Sequence, residues 1–365
     1  MDGPLRVGMV GTSWFAETVH LTCLESHPKA VLTAVCGRDR GNAEALAARH
    51  GDPAVFTDFA EMMTSGLLDA VVIVTPDDLH HEMTLQALDA GLHVLCEKPL
   101  ARSASDAQEM WRAAEAAGRV HMTMFTWRWL GVPSYARRLI AEGYLGRCRH
   151  AQFSMQADYG DAADYGWRID PVHGSGILGD LGSHLIDLAR CCVGEIVAVS
   201  GKLTTALTRF GPDGKPTDSL NDSAMMLVEF ADGADGTLEV SGHRLVGAAG
   251  PTIEIRLYGD DGTLRLDFGL EAGRLSGRRR GEESWSDLTV PEELSGLAGD
   301  NPPILDLAML APFTNLPVAD RLFVDAVVDG RPAEATFEDG WRAQQVVDAV
   351  VASDLQRGWV AVSAV

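Results

Sequence analysis

Strands and helices alternate through the first third of the chain, and this alternation restricts the possible folds more than any other feature. Short apolar strands are predicted at residues 5–10, 31–36, 69–75, 94–96 and 120–125. The segment DAVVIVT at 69–75 is apolar almost throughout, as expected of a strand covered on both faces. Parallel neighbours need crossover helices between them, so the pattern predicts a doubly wound α/β domain around a parallel sheet.

Helical patterns fill the gaps between these strands. Residues 42–49 are rich in Ala and Leu, and a second helix over 79–90 ends before Gly91, a residue type suited to the position after a helix. A third helix is predicted to begin at Ser105, which would form a capping box with Gln108, and to run to Gly118.

The sequence GTSWFA follows the first strand directly and resembles a dinucleotide-binding fingerprint, G-x-G-x-x-G/A. Gly11 permits the tight turn, Ala16 lets helix and strand pack closely, and the helix N-terminus offers N–H groups to a pyrophosphate. Ser13 replaces the second glycine, and its hydroxyl could donate to a phosphate oxygen. We therefore predict a dinucleotide-binding Rossmann domain over residues 1–126. The predicted cofactor-binding residues of the loop are Gly11, Thr12, Ser13, Trp14, Phe15 and Ala16.

The end of the second strand bears on the choice between NAD and NADP. An acidic residue there normally binds the ribose hydroxyls of NAD, but here Gly37 is followed by Arg38. Arg38, alone or with help from Arg40, could pair with a 2′-phosphate, which favours NADP. In the alternative interpretation the arginines are solvated and Asp39 contacts the ribose of NAD.

The pattern changes after residue 127 and predicts a second domain over 127–365. A chain of 365 residues exceeds what one hydrophobic core usually supports. Runs with strand character separated by tight turns predict an α+β domain on a mostly antiparallel, open sheet, and a final helix at 338–355 could pack back toward the first domain. One sheet face is free to meet a partner, so we expect a homo-oligomer. The predicted strands are 150–158, 196–204, 222–230, 236–245, 251–258 and 262–267.

Two further segments carry groups suited to proton transfer. Lys98, within Glu97-Lys98-Pro99, follows a parallel strand at the edge where open α/β sheets bind ligands. Asp180 and His184 are four residues apart, so a helix would place their side chains side by side. The carboxylate would then orient the imidazole and raise its pKa, giving a general base near neutrality.

These segments together resemble the signature of the Gfo/Idh/MocA oxidoreductases, named for glucose–fructose oxidoreductase and inositol dehydrogenase. The matching motifs are Thr75-Pro76…His80, Glu97-Lys98-Pro99 and Asp180-x-Gly-x-His184, and the likeness extends over essentially the whole chain. The resemblance implies that Lys98 hydrogen-bonds the reacting oxygen, His184 exchanges the hydroxyl proton and Asp180 positions the substrate. The cofactor-binding residues it implies are Thr75, Pro76, His80, Glu97 and Lys98.

A substrate pocket is expected around residues 125–128 and 167–168. The family commonly reads F-N-R-R where this chain has FTWR, a change that keeps Arg128 as a candidate substrate contact. Trp167 offers an aromatic face to a sugar ring, and Arg168 offers a guanidinium to hydroxyl or carboxylate groups. We therefore predict hydride transfer between NAD(P) and a secondary alcohol or ketone of a sugar, inositol or related polyol. The alternatives are a cofactor-bound sugar sensor without turnover and a redox-elimination enzyme like the NAD-dependent glycosidases.

Composition restricts the remaining function classes. The 30 basic and 52 acidic residues give a net charge of −22, which repels nucleic acid and anionic membrane surfaces. The six cysteines form no C-x-x-C pair, so no metal site is expected and a reducing cytosol suits them. A strand begins within the first ten residues, without a basic leader, and no apolar run reaches about 18 residues, so we expect a cytoplasmic protein without a membrane span.

Overall fold

A six-stranded parallel sheet forms the first part of the computed structural model, which describes residues 3–158, 166–211, 214–247 and 250–362. The strands are β1 (Leu5–Val10), β2 (Ala30–Cys36), β3 (Ala54–Phe56), β4 (Ala70–Ile73), β5 (His93–Glu97) and β6 (His121–Met124). Their order is β3-β2-β1-β4-β5-β6, and all neighbours are parallel. The predicted doubly wound sheet is confirmed. The order reverses between β1 and β4, which opens a crevice at the carboxyl ends of these strands.

Helices cover both faces of this sheet. One helix was predicted with the wrong first turn: the Ser103 hydroxyl accepts the Asp106 N–H at 3.1 Å and is the N-cap, so Ser105 lies inside the helix. Ser103 adopts the extended backbone that a cap requires, and this S-x-x-D spacing prevails over the one that begins at Ser105. The helices are α1 (a π-helical turn, Ala16–Leu21, continued by Thr22–Glu25), α2 (Arg40–Arg49), α3 (Phe59–Thr64), α4 (His80–Asp89, preceded by the 3₁₀ turn Asp77–Leu79) and α5 (Ala104–Ala117).

The second sheet is mixed and mostly antiparallel. Its order is β16-β15-β14-β13-β7-β12-β11-β8-β17, and within the described ranges β7 and β12 form its parallel pair. Strands β9 and β10, of two residues each, pair with each other in a separate two-stranded antiparallel sheet. The strands are β7 (Cys148–Gln156), β8 (Ile196–Thr204), β9 (Arg209–Phe210), β10 (Pro216–Thr217), β11 (Ser223–Phe230), β12 (Asp235–Ser241), β13 (Thr252–Gly259), β14 (Gly262–Phe268), β15 (Gly273–Arg279), β16 (Ser286–Asp287) and β17 (Val360–Ala361).

The helices of the second part of the chain pack against the two sheets or against one another. They are α6 (Gly131–Ala141), α7 (a π-helical turn, Leu178–Gly182, continued by Ser183–Cys192), α8 (Glu292–Ser295), α9 (Ala311–Asn315), α10 (Ala319–Asp329) and α11 (Phe337–Gln356). Short 3₁₀ turns lie at Thr126–Trp129, Trp167–Ile169, Ile304–Asp306 and Ala308–Leu310. Among the described helices, none has both the length and the apolar character needed to cross a membrane.

The last two long helices tie the two sheets together. Helix α11 packs on β8 and also on α5 and β6 of the first sheet, where the Trp341 and Trp111 rings stack at 4.9 Å. Helix α11 therefore contacts both sheets. Helix α10 also packs against α1, β1 and β5, a contact that the sequence did not indicate. The crevice at the end of the parallel sheet is lined on its other side by the 3₁₀ turn Trp167–Ile169 and the start of α7.

Candidate active site

A cleft of about 340 Å³ lies at the carboxyl edge of the parallel sheet, and residues from both parts of the chain line it. The first part contributes the glycine loop, the end of β4 and the end of β5. The second part contributes the 3₁₀ turn at Trp167 and the π-helical start of α7. The lining residues are Ser13, Trp14, Phe15, Val74, Thr75, Pro76, Glu97, Lys98, Trp167, Arg168 and Asp180.

The glycine loop has the backbone shape that its sequence predicts. Gly11 has a φ of +111°, and a Cβ there would lie 2.1 Å from the Val74 carbonyl oxygen, so glycine is required. The Ser13 hydroxyl accepts the Ala16 N–H at 3.2 Å, which leaves its own hydrogen free to donate outward. Trp14 is 63% exposed at the rim of the cleft.

The end of β2 explains why no acidic residue stands at Gly37. A Cβ on Gly37 would lie 2.6 Å from the Thr12 methyl carbon, so Thr12 in the glycine loop excludes a side chain there. Asp39 caps α2, since its carboxylate accepts the Asn42 N–H at 2.8 Å. Arg38 is exposed at the end of the strand, and Arg40 pairs with Glu44 at 3.6 Å.

Asp180 lies between two cations. The Lys98 ammonium nitrogen is 2.6 Å from Asp180 Oδ1 and 3.1 Å from its carbonyl oxygen. Arg168 Nε is 3.4 Å from Asp180 Oδ2, and the Arg168 guanidinium lies 4.5 Å from the Trp167 ring centroid. The Lys98–Pro99 peptide is cis. This ion pair joins the strand end of the first sheet to the helix of the second.

The pKa of His184 does not shift in the direction that the sequence predicts. The side chain is buried, its Nδ1 has no hydrogen-bond partner, and the Phe125 and Trp127 rings meet its ring edge-on at 6.2 and 6.4 Å. Burial and the Lys98 ammonium lower the pKa of His184 well below its usual value, although Asp180 acts in the opposite direction. The predicted rise in pKa is therefore wrong, because burial and Lys98 outweigh Asp180. At neutral pH the ring is neutral and can accept a proton.

Arg128 does not lie in the cleft. It is buried, its Nε donates to Asp187 Oδ2 at 2.8 Å, and a second nitrogen contacts Asp187 Oδ1. The structure does not bring this predicted substrate contact to the cleft, because a buried guanidinium keeps its carboxylate partner. Arg128 also lies 5.5 Å from the Phe125 ring centroid, so this ion pair supports the aromatic wall beside His184.

The His80 side chain also lies outside the cleft lining. It is fully buried, with Nδ1 2.9 Å from the Pro99 carbonyl and Nε2 3.0 Å from the Thr75 carbonyl. Burial lowers the pKa of His80, but Cys96, Asp77 and the Pro99 carbonyl together raise it to about 10. The structure does not bring this predicted cofactor contact to the cleft lining. The side chain joins the two loops whose residues line the cleft.

The cleft suits a nicotinamide dinucleotide. Thr75 Oγ1, on the wall of the cleft, is buried without a hydrogen-bond partner, which is unusual for a buried polar atom and typical of a ligand site. Ser13, Trp14 and Phe15 of the glycine loop line the same cleft. No group of three or more His, Cys, Asp or Glu side chains in the described ranges could hold a metal ion.

Comparison with known proteins identifies the family. Residues 5–125 match a family model described as an oxidoreductase family with an NAD-binding Rossmann fold, and residues 134–265 match the GFO/IDH/MocA C-terminal domain. The D-glucoside 3-dehydrogenase of Escherichia coli (strain K12) is 31% identical over 251 residues, 66% of this chain and 71% of that protein. The chain belongs to the Gfo/Idh/MocA oxidoreductase family. The predicted family, fold class and oxidoreductase activity are confirmed.

Other relatives span nearly the whole chain. Levoglucosan dehydrogenase of Pseudarthrobacter phenanthrenivorans (strain DSM 18606 / JCM 16027 / LMG 23796 / Sphe3) is 28% identical over 344 residues, 87% of this chain and 86% of that enzyme. A solved structure of a levoglucosan dehydrogenase in complex with NADH and levoglucosan superposes with a TM-score of 0.85 over 98% of this chain and 99% of that chain, at 23% identity. An oxidoreductase domain protein from Kribbella flavida gives a TM-score of 0.87 at 28% identity over 99% of both chains. These likenesses extend the shared fold across both sheets.

Proposed function

We propose that this Gfo/Idh/MocA enzyme transfers hydride between NAD(P) and a secondary alcohol or ketone of a sugar, inositol or related polyol. The observation that carries the proposal is the cleft in which Lys98 and Asp180 meet at 2.6 Å opposite the glycine loop, with neutral His184 in the next turn of α7. Levoglucosan dehydrogenase and D-glucoside 3-dehydrogenase, two similar proteins, are named for sugar substrates.

The dinucleotide, when bound, supplies a nicotinamide ring that accepts or returns the hydride. The loop at 11–16 would hold its pyrophosphate, and Thr75, Pro76 and Glu97 would hold its nicotinamide end. Lys98 hydrogen-bonds the substrate oxygen and stabilises its negative charge as the hydroxyl proton leaves.

His184 takes that proton, because a neutral imidazole has a free acceptor nitrogen. Asp180 holds the Lys98 ammonium in place and accepts a hydrogen bond from a neighbouring hydroxyl. Trp167 and Arg168 close the far side of the cleft, where a flat aromatic face beside polar groups suits a sugar ring.

The decisive experiment is a screen of sugars, inositols and their oxidised forms with both cofactors, followed at the nicotinamide absorbance band. We expect turnover of at least one polyol. Tight cofactor binding without turnover across the panel would instead indicate a sensor. A cleaved product formed while the cofactor is regenerated would indicate oxidation coupled to elimination.

We further propose that Arg38 allows the site to use NADP. Its guanidinium is exposed at the end of β2, next to the position where an acidic residue would bind the ribose hydroxyls of NAD. Asp39 is already committed to capping α2, and Gly37 carries no side chain. These contacts leave Arg38 as the charged group nearest to the expected 2′-phosphate.

Arg38→Ala should raise KM for NADP about tenfold to a hundredfold, since a hydrogen bond to a charged group contributes about 1.5–3 kcal/mol. The KM for NAD should change little. Arg40→Ala is the matched control, because Arg40 is two residues away and paired with Glu44. Equal losses with both cofactors in Arg38→Ala would refute the assignment.

We also propose that the open face of the second sheet joins two copies of the chain. Met225 and Leu227 on β11 are 54% and 51% exposed there, beside side chains of both charge signs. A twofold axis would bring each charge opposite its complement on the other copy. The charged residues of this face are Lys202, Glu239, Glu254 and Arg256.

The variant Leu227→Asp should convert the oligomer to a smaller species, because it buries an unpaired carboxylate at the contact. Light scattering coupled to size exclusion would measure this change. Leu355→Asp is the control, since Leu355 is 79% exposed on α11, away from the open face. An unchanged mass for Leu227→Asp would place the interface elsewhere.

We also propose that the protein is cytoplasmic, since all six cysteines are free thiols, which suits a reducing compartment.

A further inference from the structure

A buried histidine outside the cleft is bonded to the carboxylate that lines it. His20 is fully buried in the π-helical turn of α1, with its Nε2 3.1 Å from Glu97 Oε1 and its Nδ1 2.8 Å from Asp320 Oδ1. Its ring also meets the Phe15 ring edge-on, at 5.6 Å between centroids. His20 therefore contacts the glycine loop, the end of β5 and helix α10 at once.

The partners on both ring nitrogens are carboxylates, which accept hydrogen bonds. A neutral imidazole has one N–H and can donate to one of them; a doubly protonated ring can donate to both. The geometry therefore favours an imidazolium. Burial lowers the pKa of His20, but Asp320 and Glu97 together raise it to about 10.

The consequence for the cleft comes through Glu97. Glu97 is buried, and its second oxygen, Oε2, accepts the backbone N–H of Lys98 at 3.0 Å. Without a cation on Oε1 this carboxylate would be a buried charge without a partner, a costly state. The next ammonium along the chain is that of Lys98, which Asp180 holds in the cleft. An unpaired Glu97 would compete with Asp180 for Lys98.

We propose that His20 is a positioning residue that pairs with Glu97 and thereby leaves the Lys98 ammonium to Asp180 and the substrate. The proposal rests on the role assigned to Lys98 under the proposed function. It assigns a part in the reaction to a side chain that does not line the cleft, and it links helix α10, through Asp320, to that cleft.

The first test compares two histidine variants. His20→Gln should lower kcat about tenfold to a hundredfold, as misplacement of a reacting group does, with a smaller change in KM for the cofactor. His27→Gln is the matched control: His27 Nε2 bonds Asp325 at 3.1 Å and joins the end of α1 to the same helix α10, away from Glu97. A purely structural role would give both variants the same modest loss.

The second test uses coupling. Glu97→Gln removes the charge that His20 balances, so the double variant His20→Gln/Glu97→Gln should have the kcat of Glu97→Gln alone. Losses that simply multiply would overturn the proposal. A crystal structure of His20→Gln should show the Glu97 carboxylate on the Lys98 ammonium. An unchanged Lys98–Asp180 contact would overturn it as well, whether or not a substrate is known.

The third test needs neither a variant nor turnover. With ¹⁵N-labelled histidine in the wild-type chain, both His20 ring nitrogens should be protonated at about pH 8, where an ordinary histidine is neutral. The signals can be assigned through the Phe15 ring contact. A neutral ring at this pH would overturn the proposal. A wild-type chain that turns over no polyol would count against the proposed function, whereas the ring protonation and the Glu97 position decide the role of His20.

Discussion

Replacing His184 with alanine is expected to lower kcat by about 10² to 10⁴, the range over which a positioned general acid–base contributes. The imidazole is buried in the turn after Asp180, and its Nδ1 has no hydrogen-bond partner, so its removal deletes a proton acceptor without breaking a hydrogen bond to that atom. Cofactor binding should persist, because the residues proposed to hold the dinucleotide, the loop at 11–16 with Thr75, Pro76 and Glu97, do not include His184. Stopped-flow turnover and NADH fluorescence titration measure the two quantities.

A matched variant separates this effect from the loss of any histidine. His81→Ala removes a partly exposed ring on α4 that bonds to Glu109 at 3.0 Å, and it should keep near wild-type turnover. Near-full turnover in His184→Ala would show that another group exchanges the proton.

The pH dependence of kcat/KM also tests the role of His184 as the proton acceptor. Burial and Lys98 lower the pKa of His184, so its neutral form persists below the usual value of about 6.5 for histidine. The kcat/KM for alcohol oxidation should therefore remain level through this region and fall at lower pH. Removing the Lys98 charge should move that fall to higher pH, because one of the two influences that lower the pKa is lost.

Local sequence patterns predicted the parallel sheet and the glycine loop well. The apolar strand DAVVIVT and the turn at Gly11 depend on neighbours a few residues away, and both were found as expected. The exact helix start was harder, because Ser103 and Ser105 offer similar spacings and the backbone conformation chooses between them. The three-residue strand β3 is too short to give an alternating pattern.

The partners of the site residues could not be predicted, because they come from distant parts of the chain. Spacing along a helix suggested that Asp180 serves His184, but the closure of the two sheets brings Lys98, 82 residues away, onto its carboxylate. Arg128 was matched to a motif, yet its burial against Asp187 depends on how α7 packs. The sequence around His20 shows only a histidine in the first helix. Its hydrogen bond to Asp320 joins residues 300 positions apart, which no local pattern predicts.

The Lys98 ammonium is the second group whose loss should have a large effect. Lys98→Met keeps the length of the side chain and removes its charge, so kcat should fall by about 10² to 10³, as it does when one donor to a developing oxyanion is deleted. Lys29→Met is the control, since Lys29 is an exposed lysine that pairs with Asp329 at 2.6 Å just before β2, away from the cleft. Steady-state rates with the best polyol of the screen would measure both.

A second substitution shows whether Lys98→Met lowers kcat through catalysis or through the stability of the fold. This variant removes the ammonium 2.6 Å from the buried Asp180 carboxylate and leaves the Arg168 guanidinium at 3.4 Å, so it should also lower the melting temperature. Adding Asp180→Asn removes the charge of that carboxylate and should restore most of the lost stability without restoring kcat. If kcat returned together with stability, Lys98 would act by holding the fold. A deficit that persists in the stable double variant would support a hydrogen bond to the reacting oxygen, provided that Asp180→Asn alone retains more activity than the double variant.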